Sequence, residues 1–135
     1  MSNADVFTRA VDAFNRGDRD GFASLWAADC EWRPFLRVKE EGAPYRRFRG
    51  IHEWFDATRG AFSDQRTEIE EIHEDGDRLV VLGRAHYRGR RSGVEVTSNA
   101  GWIVEFKDGE IVRVWSFRSH AETLEEAGLD ASEIA

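Results

Sequence analysis

Apolar residues at Val6, Phe7, Ala10, Val11 and Phe14 recur at helical spacing and predict a helix over residues 3–16. Ser2 with Asp5 three positions on forms a capping-box pattern, and Gly17 suits the stop. Asp18 can cap a short second helix with apolar positions Phe22, Leu25 and Trp26. Residues 29–35 alternate: Cys30, Trp32 and Pro34 face one way, Glu31 and Arg33 the other. That is a short strand, which Pro34 ends or holds at an edge. Residues 36–49 show no period, contain Gly42-Ala43-Pro44 and predict a loop. Ile51, Trp54, Phe55, Thr58 and Phe62 then mark a third amphipathic helix. Residues 65–74 read as a strand, and the three-residue step from Ile69 to Ile72 breaks alternation and predicts a bulge. Three further strands follow, over 77–88, 94–106 and 111–118, with turns at Arg90–Gly93 and Asp108-Gly109. Residues 121–128 form a short closing helix that Gly128 stops.

Helices first and strands later make the fold class α+β, with helices on one face of a mostly antiparallel sheet. The Lys107-Asp108-Gly109 turn decides which strand residues face inward. A two-residue loop pairs Trp102 with Trp115; a three-residue loop with a glycine bulge pairs Trp102 with Val114. The bulged form is preferred, because it collects Leu79, Val81, Ala85, Tyr87, Ala100, Trp102, Val104, Val112, Val114 and Arg118 on one mostly apolar face. Small residues at Gly83, Ala85 and Ala100 leave space there. The opposite face then carries His86 among polar groups, with Ile103, Trp115 and Phe117 as an apolar patch suited to a partner.

At 135 residues the chain is one domain, 1–135, large enough for a sizeable core. A net charge of −7 argues against a general nucleic-acid binder. No apolar run reaches membrane-span length and no signal peptide opens the sequence, so no membrane partner is expected. The single cysteine, Cys30, allows no intrachain disulfide and points to a reducing, cytoplasmic compartment. Five Trp and nine Phe are a heavy aromatic load for one small domain.

Five phrases in order carry a resemblance: residues 22–32 (FASLWAADCEW), 48–54 (FRGIHEW), 76–80 (GDRLV), 106–112 (FKDGEIV) and 124–129 (LEEAGL). Together they resemble the SnoaL-like proteins of the nuclear transport factor two-like superfamily. The resemblance implies a cystatin-like cone, a curved sheet wrapped round the N-terminal helices with a pocket at its open end. It also implies a homodimer. It does not fix the activity, since one fold hosts many. Ketosteroid isomerases place a catalytic Asp where this chain has Arg33-Pro34. Cyclases and epoxide hydrolases of the superfamily place an Asp after the last strand, where Ser119 stands. The Trp-His-Pro phrase of many relatives is Trp32-Arg33-Pro34 here. No family activity therefore carries over residue by residue.

Trp32, Trp54 and Trp102 either wall a ligand pocket or fill the core, with Ala100 beside them; Tyr87 and Arg118 are candidates for a polar contact at the pocket end. His52, His73, His86 and His120 lack metal-ligand spacing, so neither metal nor cofactor is expected. His86 has two readings, a general acid/base or a hydrogen-bonded surface histidine. Arg46, Arg47 and Arg49 form a basic knot that either meets an anionic group or faces water. The expected function is binding of a small hydrophobic molecule. The alternatives are an isomerase, cyclase or epoxide hydrolase with a non-standard site, and a dimerisation module without ligand.

Overall fold

A computed structural model describes residues 1–35 and 43–129. The elements run α1 (Asn3–Arg16), α2 (Arg19–Ala23), β1 (Trp26–Arg33), β2 (Tyr45–Arg46), α3 (Arg47–Ala61), β3 (Phe62–Asp75), β4 (Arg78–Gly89), β5 (Glu95–Lys107), β6 (Glu110–Phe117) and α4 (His120–Ala127). The six strands form one open, curved sheet in the order β2-β1-β6-β5-β4-β3. Only β1 and β6 pair in parallel; the other neighbours are antiparallel. The fold is thus α+β, with the N-terminal helices in the hollow of the sheet.

Local chemistry sets the helix ends. Ser2 Oγ accepts from the Asp5 amide and the Asp5 carboxylate accepts from the Ser2 amide, while Gly17 closes α1 in the left-handed conformation. Asp18 Oδ1 accepts from the Gly21 amide and starts α2. At the far end of the chain, Ser119 Oγ accepts from the Glu122 amide and starts α4. The buried face of α1 is Val6, Phe7, Ala10, Val11 and Ala13.

Several expectations are corrected. Trp26 opens β1 rather than closing α2; it is 3% exposed and pairs with Ile111. Of the loop expected over 36–49, residues 36–42 lie outside those described. Tyr45 and Arg46 form a short strand on β1, and α3 starts at Arg47, ahead of its first apolar position. Arg46, Arg47 and Arg49 therefore sit at a strand end and in the first helical turn, all exposed. Periodicity missed this start because the first turn turns its side chains to solvent. Phe62 caps α3 in extended conformation and begins β3. The bulge near Ile69 is present, between Ile69 and Glu71.

The last hairpin corrects the turn but keeps most of the face. Asp108 (φ 52°) and Gly109 (φ 79°) both adopt positive φ, as a two-residue type I′ turn requires, and Lys107 pairs with Glu110. An extra residue, Val112, is then bulged out between the Phe106–Ile111 and Glu105–Arg113 pairs. Trp102 consequently faces Ser116, not Val114. Those two residues of β6 differ by one full pleat, so the inner face beyond the bulge is the expected one. Before the bulge, Ile111 takes the inward place expected of Val112 and is 1% exposed.

Two contacts fasten helices to the sheet. Asn15 at the end of α1 donates from Nδ2 to Thr67 O (2.9 Å) and accepts from the Thr67 amide at Oδ1 (2.8 Å). Its amide stands in for a neighbouring strand on the edge strand β3. On the outer face, α4 lies against Gly101, where a Cβ would come within 1.9 Å of Thr123 Oγ1. Val80, Ile103 and Ala127 form a second small core there, with Trp115, Phe117, Leu124 and Leu129 packed on it. Among the described residues no helix is long and apolar enough to cross a membrane.

Two stability predictions follow from these contacts. Asn15→Ala removes both bonds to β3 and should lower unfolding free energy by about 1–3 kcal/mol. A denaturant midpoint indistinguishable from that of the parent would refute it. Gly101→Ala should lift α4 from the sheet at a cost of about 1–3 kcal/mol. Faster proteolysis confined to the C-terminal helix reports this, and an unchanged cleavage rate contradicts it.

Candidate functional site

Between the helices and the hollow face of the sheet lies a cavity of about 100 Å³. Helix α1 contributes Phe7, Ala10, Val11 and Phe14, and α2 contributes Phe22. Trp26 and Trp32 of β1 and Trp54 and Thr58 of α3 form one wall; Trp102, Ile111, Val114 and Ser116 form another. Phe62, Gln65, Thr67, Ala85 and Tyr87 close the side formed by β3 and β4, and Pro34 and Phe35 lie at the end of β1. The void exists because Ala10 follows Phe7 and precedes Phe14 on the α1 stripe, while the opposing sheet offers Ala85 rather than a large side chain.

The aromatic wall is a closed circuit. Ring centroids are 5.8 Å apart for Phe22–Trp26, 5.9 Å for Trp26–Trp32, 5.2 Å for Trp32–Trp54 and 6.0 Å for Trp54–Phe22. Trp32 and Trp54 meet edge to face at 89°. Phe14 stacks on Trp54 at 5.5 Å. Behind it the Arg59 guanidinium lies over the rings of Phe14 (5.0 Å) and Phe55 (4.9 Å) and donates to the Phe14 carbonyl near the end of α1. Burial lowers the proton affinity of this guanidinium.

The sequence candidates divide. Trp32, Trp54, Trp102 and Tyr87 are brought together on the cavity wall. Ala100 is fully buried in β5, opposite Gly83 of β4, and is not among the lining residues. Arg118 is exposed; its guanidinium sits 5.8 Å from the Phe35 ring, one side chain away from the cavity. Of the proposed partner patch, Ile103 is 6% exposed beneath α4, whereas Trp115 and Phe117 remain half-buried at its edge. Sequence reasoning missed the whole α1 contribution, Trp26 and Gln65. The small residue at Ala10, inside a stripe of large ones, was the available signal.

Titratable groups are scarce here. His86 borders the cavity, yet its Nδ1 meets Thr97 Oγ1 (3.1 Å) and its Nε2 meets Glu68 Oε1 (3.1 Å), both on the outer face. Arg66 pairs with His86 across the strands and is exposed. Among the described lining residues there is no carboxylate, and Tyr87 supplies the phenol. A second depression of about 440 Å³ borders the rim, sharing Gln65, Arg66, His86 and Tyr87 with the cavity and adding Asp64, Arg88, Glu95 and Thr97. No three of His, Cys, Asp and Glu gather to hold a metal ion among the described residues. Cys30 is 1% exposed, and burial pushes its thiol up to about 11, opposed weakly by the Arg47 backbone.

Residues 7–114 match the SnoaL-like domain, and the chain belongs to that family. No curated protein sequence matches it. Among solved structures, a nuclear transport factor two-like protein of unknown function from Burkholderia pseudomallei superimposes with a TM-score of 0.77 at 21% identity, covering 93% of this chain and 97% of its own. TerC, crystallised with polyporic acid, gives 0.77 at 22% identity, covering 91% and 95%. A Sinorhizobium meliloti protein provisionally named a polyketide cyclase gives 0.65 at 28% identity, covering 87% and 100%.

Cys30 yields a prediction. At pH 8 the folded protein should resist iodoacetamide, since the thiolate is the reactive form and burial suppresses it. Its raised pKa makes the folded state hold a proton that the unfolded chain releases. Thiol-linked stability is therefore retained below the unfolded pKa and falls as pH rises towards about 11. Alkylation of the folded protein at the rate of the urea-unfolded chain contradicts this reading.

Proposed function

We propose that this protein binds a small, largely apolar molecule in the cavity between the helices and the sheet. The observation that carries this is the lining: a shielded void walled by Phe22, Trp26, Trp32, Trp54 and Trp102 with few polar side chains at its edge. An engineered apolar cavity of about 150 Å³ holds benzene; a void of about 100 Å³ that adjoins the rim depression of about 440 Å³ at Gln65 and Tyr87 suits a molecule of about one ring. The rival reading is a cyclase or isomerase, and the name of the Sinorhizobium meliloti relative supports it. Proton transfer in such chemistry needs a titratable group within hydrogen-bond reach of the substrate. Of the titratable lining residues, His86 has both ring nitrogens engaged by Thr97 and Glu68 and Arg66 is exposed, which leaves Tyr87 and no carboxylate among the described residues and favours the binder.

Ala85 is mid-strand, 9% exposed and on the wall, so Ala85→Leu fills the void. Ethylbenzene at millimolar concentration should raise the Tm of the parent by a few degrees, following the linkage between binding and stability. It should leave the Tm of Ala85→Leu unchanged, with circular dichroism reporting the same fold. An equal Tm rise in both proteins moves the ligand out of this cavity. Turnover of a steroid enone or an epoxide that is lost in Tyr87→Phe replaces the binder with an enzyme.

A further inference from the structure

The cavity wall is apolar in area yet carries a specific polar imbalance. The indole nitrogens of Trp26, Trp32 and Trp54 are buried and have no hydrogen-bond partner among the described residues. These residues are 3%, 5% and 8% exposed, and all three line the cavity. An indole N–H can only donate. The lining also holds one unpaired acceptor among the described residues, Gln65 Oε1 on β3. Its orientation is fixed, because Gln65 Nε2 must be the atom that donates to the Thr58 carbonyl at 2.6 Å. The lining residues therefore hold three unused donors on the tryptophans and one unused acceptor on β3, each shielded in this conformation.

We infer that the ligand is a single-ring aromatic molecule bearing an oxygen acceptor for the tryptophan corner and a hydroxyl for Gln65 Oε1, a hydroxyaryl ketone in chemical class. This rests on the binding role proposed above and adds its polar specificity. Folding has already stripped these N–H groups of water, so a ligand oxygen gains a bond without removing hydration from its partner. The edge-to-face contact of Trp32 and Trp54 gives an N–H at most a weak interaction with a ring face, which a carbonyl oxygen outcompetes. The nitrogens and Gln65 Oε1 are shielded in this conformation, so engagement turns an indole and the Gln65 amide toward the void. The indole nitrogens themselves cannot accept, which disfavours a ligand whose acyl end is replaced by an alcohol or amine donor.

Four probes of nearly equal shape test this on the unmodified protein: ethylbenzene, acetophenone, 4-ethylphenol and 4-hydroxyacetophenone. Calorimetry should show acetophenone and 4-ethylphenol each binding about five- to tenfold tighter than ethylbenzene, and 4-hydroxyacetophenone tighter than either. In ¹⁵N-labelled protein, acetophenone but not ethylbenzene should move the indole N–H signal of Trp26, Trp32 or Trp54 downfield. Trp32→Phe and Trp54→Phe should reduce the ketone advantage, and Gln65→Met should reduce the phenol advantage while leaving the ketone advantage intact. If ethylbenzene binds and the ketone and phenol bind no better, with indole signals unmoved, the polar inference is overturned and the binding role stands. If none of the four binds, the binding role itself fails.

Discussion

The contact on which the rest of this fold depends is the ring circuit of Phe22, Trp26, Trp32 and Trp54. It joins α2, β1 and α3, alongside the Phe22–Phe55 ring contact and the Arg19–Asp56 ion pair between α2 and α3, and it is also the wall of the cavity. Large rigid rings meeting edge to face cannot fill space as aliphatic chains do, so a layer of them leaves interstices. Stability and hollowness here have one source. The Arg59 guanidinium, held between Phe14 and Phe55, adds a polar fastening behind the circuit and satisfies a carbonyl near the end of α1.

The two faces of the sheet divide the work. The hollow face carries the core and cavity. The outer face is split: α4 covers Val80 and Ile103, while the open part carries the Glu68–His86–Thr97 network and ion pairs such as Arg88 with Glu95. That network engages both ring nitrogens of His86, although the residue borders the cavity. Pleating sends it outward between Ala85 and Tyr87, which face in.

Much of the fold was legible from sequence because the signals were local. The Ser2–Asp5 box, Gly17 and the broken alternation at Ile69 each act within a few residues, and each appears where expected; Asp108-Gly109 marks the turn, but as a two-residue turn and not the bulged form. Trp26 was misplaced because a tryptophan at helical spacing from Phe22 is equally at home opening a strand, and only the pairing with Ile111 decides. The bulge at Val112 has no sequence mark beyond an Ile-Val pair, so register had to come from the structure. For the site, Trp32, Trp54, Tyr87 and Trp102 were found by residue type. Gln65 and the α1 residues were not, because an amphipathic stripe shows which face is buried and not whether it meets packing or a void.

The parallel pairing of β1 with β6 has a consequence for how the chain acquires its shape. Trp26 and Trp32, among the first strand residues made, are flanked by Ile111 and Val114, among the last. No hairpin can bring these together, so loop closure across most of the chain precedes the contact. During synthesis the aromatic corner has its helical neighbours but lacks one side of its sheet until β6 emerges. The antiparallel β3–β6 meander, by contrast, assembles from neighbours in sequence. The carboxy-terminal strands thus pair through local contacts, whereas the cavity between helices and sheet is complete only once β1 and β6 are paired.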